Sequence, residues 1–303
     1  LGETGITIFT IWGGTIAMPV SVEFTKSKTS ARIMSNFVAT FVAFFAYIIF
    51  AFLFWRAQIA GNAEALNRSG LGHAIGIPLA LQAWLLYQNL FVGSNLNLGL
   101  VYSISLILWL TLLVYWIARF FYPLANMLSI VLPLAAIGVV LPELFPDTRI
   151  HSETTSWMFD AHVLVAMMAY SLFTIAALHA ALMSFVEKNL HHATLPNVLK
   201  NLPPLLTMET LLFRILGVGL VLLTLTLASG MLFSEQIFGK PWQFSHKVLF
   251  GFISWSVFSI LLIGRTFKGW RGRTAVRWTL SGFGFLVLAY LGTKFVLEIV
   301  LHR

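Results

Sequence analysis

Residues 212–233 read LFRILGVGLVLLTLTLASGMLF, and Arg214 is the only charged residue among them. At about 1.5 Å of rise per residue, a helix of this run spans about 33 Å. That crosses a hydrocarbon core of about 30 Å with every backbone hydrogen bond closed inside the helix. Working outward from it, seven further runs have the same character, roughly 36–55, 72–92, 98–118, 122–142, 159–185, 247–264 and 276–299. The whole chain agrees: 58% of its 303 residues are hydrophobic and only 10% charged, with a mean hydropathy of +0.86. A soluble globule needs about a quarter of its residues charged to wet its surface, so a water-soluble enzyme is excluded. The expected fold class is an all-α, polytopic integral membrane bundle of about eight transmembrane helices.

Charge orients the bundle. The formal net charge of +8 could suggest a nucleic-acid partner, but the basic residues sit in short connectors between apolar runs, where they set orientation in the bilayer. Connectors one, three, five and seven carry eleven Lys and Arg, five of them between Arg265 and Arg277; the opposite side carries five, at Arg149, Lys240, Lys247, Lys294 and Arg303. The odd connectors are therefore expected in the cytoplasm and both ends of the eight-span unit outside it, in the periplasm of a Gram-negative cell. Trp55, Trp84, Trp116, Trp157, Trp242 and Trp278 cluster near the run ends, as rings at the headgroup level do. The first 35 residues break this pattern, because Lys26, Lys28 and Arg32 would precede the first span on the outer side. Two readings of that segment stand: a marginal ninth span over 6–22, or a non-native extension ahead of a working start at Met34. The domain division is thus 1–35 as an N-terminal extension and 36–303 as the transmembrane domain. The longest polar connectors, roughly 143–158 and 186–211, are too short for a soluble domain.

With no cysteine, thiolate metal sites, disulfides and dithiol relays are excluded, and any redox cofactor needs other ligands. Charged groups inside the spans are scarce, so a charge-relay pump is not indicated. Eight histidines remain. His162 falls near the outer end of span five and His246 at the outer entry of span seven, at similar depth on different helices. His73, His179, His191 and His192 fall towards the other side, His151 in an outer loop and His302 in the tail. Two neutral imidazoles facing each other across a bundle are a common way to hold haem iron from both axial positions. Taken alone, each is more often an interfacial polar residue than a ligand. Gly217, Gly219, Gly230, Gly282 and Gly284 are candidates for close helix approach.

The stretch from Met208 to Gly230 (METLLFRILGVGLVLLTLTLASG), the GWRGR connector from Gly269 to Arg273, and SGFGFLVLAYLGTKF from Ser281 to Phe295 resemble the cytochrome c assembly family of haem-handling membrane proteins. That group includes the CcsA, ResC and CcmC types. Span five, SWMFDAHVLVAMMAYSL from Ser156 to Leu172, resembles the family segment with an outer-face haem histidine, which lands on His162. Upstream, LNLGLVYSISLILWL and YPLANMLSIVLPLAAI resemble more specifically the HemX-like, YpjD-like inner-membrane branch, which extends the likeness to about residue 40. The family's haem-transfer members carry a Trp-rich outer loop, WGxxWxWDPK. Here Phe238–Lys247 reads FGKPWQFSHK, keeping Gly239, Trp242 and Lys247, with Phe244 for a Trp, Ser245 for the Asp and His246 for the Pro. Ile263 stands where those members carry a span-seven His, and Gln82 where many branch members carry one in span two.

The resemblance implies a handler that binds or presents haem near the outer face, an assembly factor rather than a hydrolase or oxidoreductase. His162 and His246 are the expected axial ligands. Trp242 and Phe244 would stack the porphyrin, and Lys240 and Lys247 would pair its propionates. Expected partners are the lipid bilayer, other cytochrome c assembly proteins and an apocytochrome, and no nucleic acid. The degenerate loop supports a second reading, a non-haem scaffold or regulator that kept the fold and lost the cofactor. A small-molecule permease fits less well, because broken-helix pairs and midplane charges are missing.

Overall fold

Helices form where the sequence removes charge from runs of Leu, Ile, Val and Phe, and they end where Gly, Pro or clustered charge returns. A computed structural model describes residues 6–11, 14–92, 95–96, 99–122, 124–145, 157–189, 204–235 and 245–292. It opens with β1 (Ile6–Ile11) and β2 (Gly14–Pro19), paired antiparallel with Ile6 opposite Pro19. The stretch 6–22, open to reading as a ninth span, is thus strand for most of its length, in keeping with its β-branched Ile and Thr. Helix α1 then runs unbroken over Val20–Ile59. The others are α2 (Ala63–Arg68), α3 (Gly70–Ala74), α4 (Gly76–Leu90), α5 (Leu100–Ala118), α6 (Ala125–Leu144), α7 (Trp157–Asn189), α8 (Leu205–Leu232), α9 (His246–Lys268) and α10 (Gly272–Val287). Short strands β3 (Phe91–Val92) and β4 (Asn95–Leu96) pair between α4 and α5.

Seven helical stretches among the described residues are long and apolar enough to cross a membrane, from Met34–Ile59 through His246–Lys268. The eighth expected run is helical from Gly272 to Val287 and continues as a π-helical turn over Leu288–Gly292; residues 293–299 lie outside the described residues. Phe37, Phe45, Ile49, Val218, Val221 and Leu225 are exposed. Outward apolar faces of this extent are those of a chain solvated by lipid. The molecule is an all-α polytopic membrane bundle.

Two four-helix groups build it. In the first, α1 packs on α6 and α4, and α5 on α6 and α4; in the second, α8 packs on α7 and α9, and α10 on α7 and α9. Helix α5 also packs on α7 and joins the groups. Polar pairs bind the first group internally. Tyr47 donates to Gln82 Oε1 at 2.9 Å and Ser129 to Gln58 Oε1 at 2.9 Å. Gln82 is 1% exposed, and interhelical bonds of this kind hold membrane helices together where lipid competes equally for apolar surface.

In the second group Phe173 of α7 stacks on Phe258 of α9, with centroids 4.0 Å apart. Glycines make room for the stack: a Cβ at Gly219 would lie 3.2 Å from the Phe173 ring, and one at Gly282 would lie 2.8 Å from Phe258. Gly217 and Gly284 face open space and are not close-approach points. Gly219→Leu is therefore expected to cost about 1–3 kcal/mol through overpacking, read as a lowered unfolding midpoint in detergent. Val218→Leu, on the exposed face of the same helix, should be near neutral. Leu222, lipid-facing on the sequence pattern alone, is half-buried against the core and makes a poor control. Equal effects of the two substitutions would remove Gly219 from the interface.

The GWRGR connector is a built turn. Gly269 ends α9 in the left-handed region at φ +64°, and Trp270 N–H returns to the Gly264 carbonyl at 3.2 Å, closing a Schellman-type cap. Trp270 folds over Gly264, where a Cβ would collide with the indole. Glu209, 6% exposed on α8, ties this turn down. It accepts from Arg265 Nη1 and, at 3.2 Å, from the Gly272 N–H, with Arg271 Nε 3.7 Å away. Arg273 reaches Glu187 of α7 at 2.8 Å. The seventh connector is thereby fixed to α8 and α7.

Candidate functional site

His162 lies in the second turn of α7, half-buried against the far end of α8. Ser229 Oγ donates to the Thr226 carbonyl at 3.1 Å, which uses its proton. His162 Nδ1 shares a 2.8 Å hydrogen bond with Ser229 Oγ, which orients the ring. In the tautomer that carries its proton on Nδ1, the lone pair is on Nε2, the nitrogen such an arrangement presents to a metal. Gly230 lets the ring lie against α8, since a Cβ there would stand 3.3 Å from His162 Cε1. Phe159, three residues earlier on α7, packs with Leu86, Leu90 and Tyr102.

Lys247, the second residue of α9, approaches the same end. Its ammonium sits over the Tyr290 ring at 5.2 Å and close enough to His162 to act on it electrostatically. Tyr290, in the π-helical turn, bonds Ser103 of α5 at 2.9 Å and lies 5.7 Å from the Tyr170 ring. Tyr170 in turn donates to the Leu286 carbonyl at 3.1 Å. Helices α5, α7, α8, α9 and α10 and the π-helical turn thus converge at one end of the bundle. This arrangement supplies an oriented imidazole, a cation and aromatic surface.

The structure brings Lys247 to the His162 end, while His246, one residue before it, is exposed at the start of α9. Ser245 before it caps the helix, accepting from Val248 N–H at 3.5 Å. A first-turn side chain on a capped helix is free to point outward, which similar depth in the sequence does not reveal. Lys240, Trp242, Phe244, His151, His191, His192 and His302 lie outside the described residues. Among the described residues, no three His, Asp or Glu side chains gather as a metal cluster would. Sequence reasoning missed Ser229, Tyr290, Tyr170 and Ser103. For Ser229 the signal was present: the ASG ending of span six puts a hydroxyl at the same end of the bundle as His162.

At the opposite end His179 is 1% exposed between α5 and α7, its Nδ1 2.8 Å from the Tyr115 hydroxyl and 3.1 Å from the Ile175 carbonyl. His73 is exposed, with Nδ1 donating to the Ser69 carbonyl at 3.0 Å. Arg119, just past α5, donates to the Asn67 carbonyl at 2.7 Å and lies 4.7 Å from the Phe120 ring centroid. Burial lowers its pKa from the ordinary value, and a guanidinium still stays charged. A cavity of about 350 Å³ lies nearby, between α6 and α8.

Comparison with known proteins gives this geometry a context. The YpjD inner membrane protein of Escherichia coli K12 is 32% identical over 175 residues, 57% of this chain and 65% of its own length. The cytochrome c biogenesis protein CcsA of Prochlorococcus marinus strain MIT 9215 is 26% identical over 287 residues, 75% of this chain and 89% of its own. A 28.8 kDa protein of Azospirillum brasilense is 34% identical over 143 residues, 47% of this chain and 52% of its own. The chain thus spans just under two thirds of the YpjD length that it matches. No solved structure matches. The model of the cytochrome c assembly protein family matches residues 73–301, which takes in every span but the first and the whole His162 end, and the chain belongs to that family.

Proposed function

We propose that this protein takes part in cytochrome c biogenesis from the bacterial inner membrane, holding haem at the His162 end of the bundle, on the periplasmic side. The observation that carries the reading is the 2.8 Å hydrogen bond between His162 Nδ1 and Ser229 Oγ, which holds the imidazole at the end of the bundle where Lys247 and Tyr290 also lie. The surroundings fit the group: Gly230 lets the imidazole lie against α8, and Lys247 supplies a cation suited to a propionate. Membership of the cytochrome c assembly family and the name of its inner-membrane relative support the same reading. Bound there, haem would supply redox and ligand chemistry that a cysteine-free chain lacks. This chain's own residues bind, orient and charge-match it: His162 at the iron, Lys247 with Lys240 at the propionates, and Trp242 with Phe244 against the ring. His246 would join His162 at the iron only if the start of α9 turned inward.

An absorbance spectrum of detergent-purified protein from haem-sufficient cells tests the reading. A Soret band with split visible bands is expected, and a colourless preparation would favour the scaffold reading, which the degenerate loop at 238–247 supports. Orientation is tested separately. A cysteine placed at Thr266, beside the basic connector, should label only from the cytoplasmic side; labelling from outside would put His162 on the wrong face for periplasmic work.

A further inference from the structure

We propose that the cavity between α6 and α8 is a binding site for an anionic phospholipid, with the lipid phosphate on Arg214 and an acyl chain along the apolar wall. The cavity holds about 350 Å³. Leu124 and Met127 form one wall and Leu206 and Leu211 the other, with His179 on the inner side. Residues 207, 210, 211 and 214 fall at helical spacing, so Thr207, Thr210, Leu211 and Arg214 share one stripe of α8 along the opening. Leu206, Thr210 and Arg214 are exposed, which leaves the cavity accessible from outside the bundle.

Arg214 is the feature that asks for a ligand. It lies within a span and makes no ion pair among the described residues, because Glu209 on the same helix is taken by Arg265 and Glu187 by Arg273. A cation inside a membrane helix is expensive unless it pairs or reaches the headgroups. Its depth fits the second route. Helix α8 has 28 residues, about 42 Å, against a hydrocarbon core of about 30 Å. If the excess is shared between the two ends, about 6 Å of α8 stands in the headgroup layer. The Arg214 Cα, nine residues beyond Leu205, then sits about 7 Å below the boundary. A stretched arginine covers that distance, its stem along apolar surface and its guanidinium at phosphate level. A guanidinium binds phosphate oxygens in a bidentate fork, and the adjoining apolar cavity accepts the chain that hangs from that phosphate.

The test is native mass spectrometry of the intact protein released from bilayers of equimolar phosphatidylcholine and phosphatidylglycerol. Wild type should retain phosphatidylglycerol selectively, Arg214→Gln should lose about fivefold of that preference, and Arg214→Lys should keep most of it. Leu211→Trp, which fills the cavity and spares the charge, should also release the lipid. Since Arg214 makes no ion pair among the described residues, thermal stability in plain detergent should be unchanged in Arg214→Gln, which separates lipid loss from misfolding. Equal retention by wild type and Arg214→Gln would overturn the proposal. So would retention of a free fatty acid or a porphyrin in place of the phospholipid.

Discussion

His162→Ala, purified in detergent, is expected to lose the proposed haem or to convert it from low-spin to high-spin, with exogenous imidazole partly restoring the original bands. The basis is that the His162 ring is held by a hydrogen bond from Nδ1 to Ser229 Oγ of the neighbouring helix and lies against Gly230. Two further changes distinguish a ligand from a bystander. Ser229→Ala removes the partner of Nδ1 and frees the imidazole, so haem retention should fall about 10–100-fold with His162 itself still present. Lys247→Gln should weaken retention without changing spin state, because it would touch a propionate and not the metal. A His162→Ala protein with an unchanged spectrum would end the assignment and turn attention to His73, His151 and His179.

Glu209→Gln is expected to be the most destabilising single change at the other end. Removing one member of a buried charge pair leaves the other uncompensated, at about 3 kcal/mol, or a midpoint lowered by about 6–12 °C. Glu209 is the hub: Arg265, Arg271 and the Gly272 N–H all turn to it. Arg265→Gln should cost less, because Glu209 keeps the other two. Arg271→Gln should cost almost nothing, since that side chain is 62% exposed and exposed pairs contribute little. Thermal unfolding of the three variants gives the order, and a loss from Arg271→Gln as large as that from Glu209→Gln would refute the hub.

The spans were legible because a bilayer imposes one length and one polarity on every crossing, so a run such as 212–233 reveals itself without knowledge of its neighbours. Boundaries were less so. Helix α8 begins at Leu205 and not near 212, because Thr207, Glu209 and Thr210 look like connector until tertiary contacts show Glu209 consumed by a distant turn. His162 was singled out by its depth near the outer end of span five and then by the resemblance, not by periodicity. The partnership with His246 was an inference from depth alone, and depth says nothing about rotation around a helix axis. Tyr290 and Ser103, 187 residues apart, meet only because α5 joins the two helix groups, and no local pattern could have paired them.

The Glu209 knot also sets an order of events during synthesis. Arg265 follows Glu209 by 56 residues, so at 5–20 residues per second Glu209 is made about 3–11 s before its counter-charge exists. Through that interval the carboxylate must stay hydrated at the membrane surface, holding the first turns of α8 out of the lipid. Only when the α9–α10 hairpin emerges can α8 sink to its final depth. The hairpin therefore acts on the nascent chain as a late latch, and a ribosome stalled between residues 233 and 264 would leave α8 threaded but unseated.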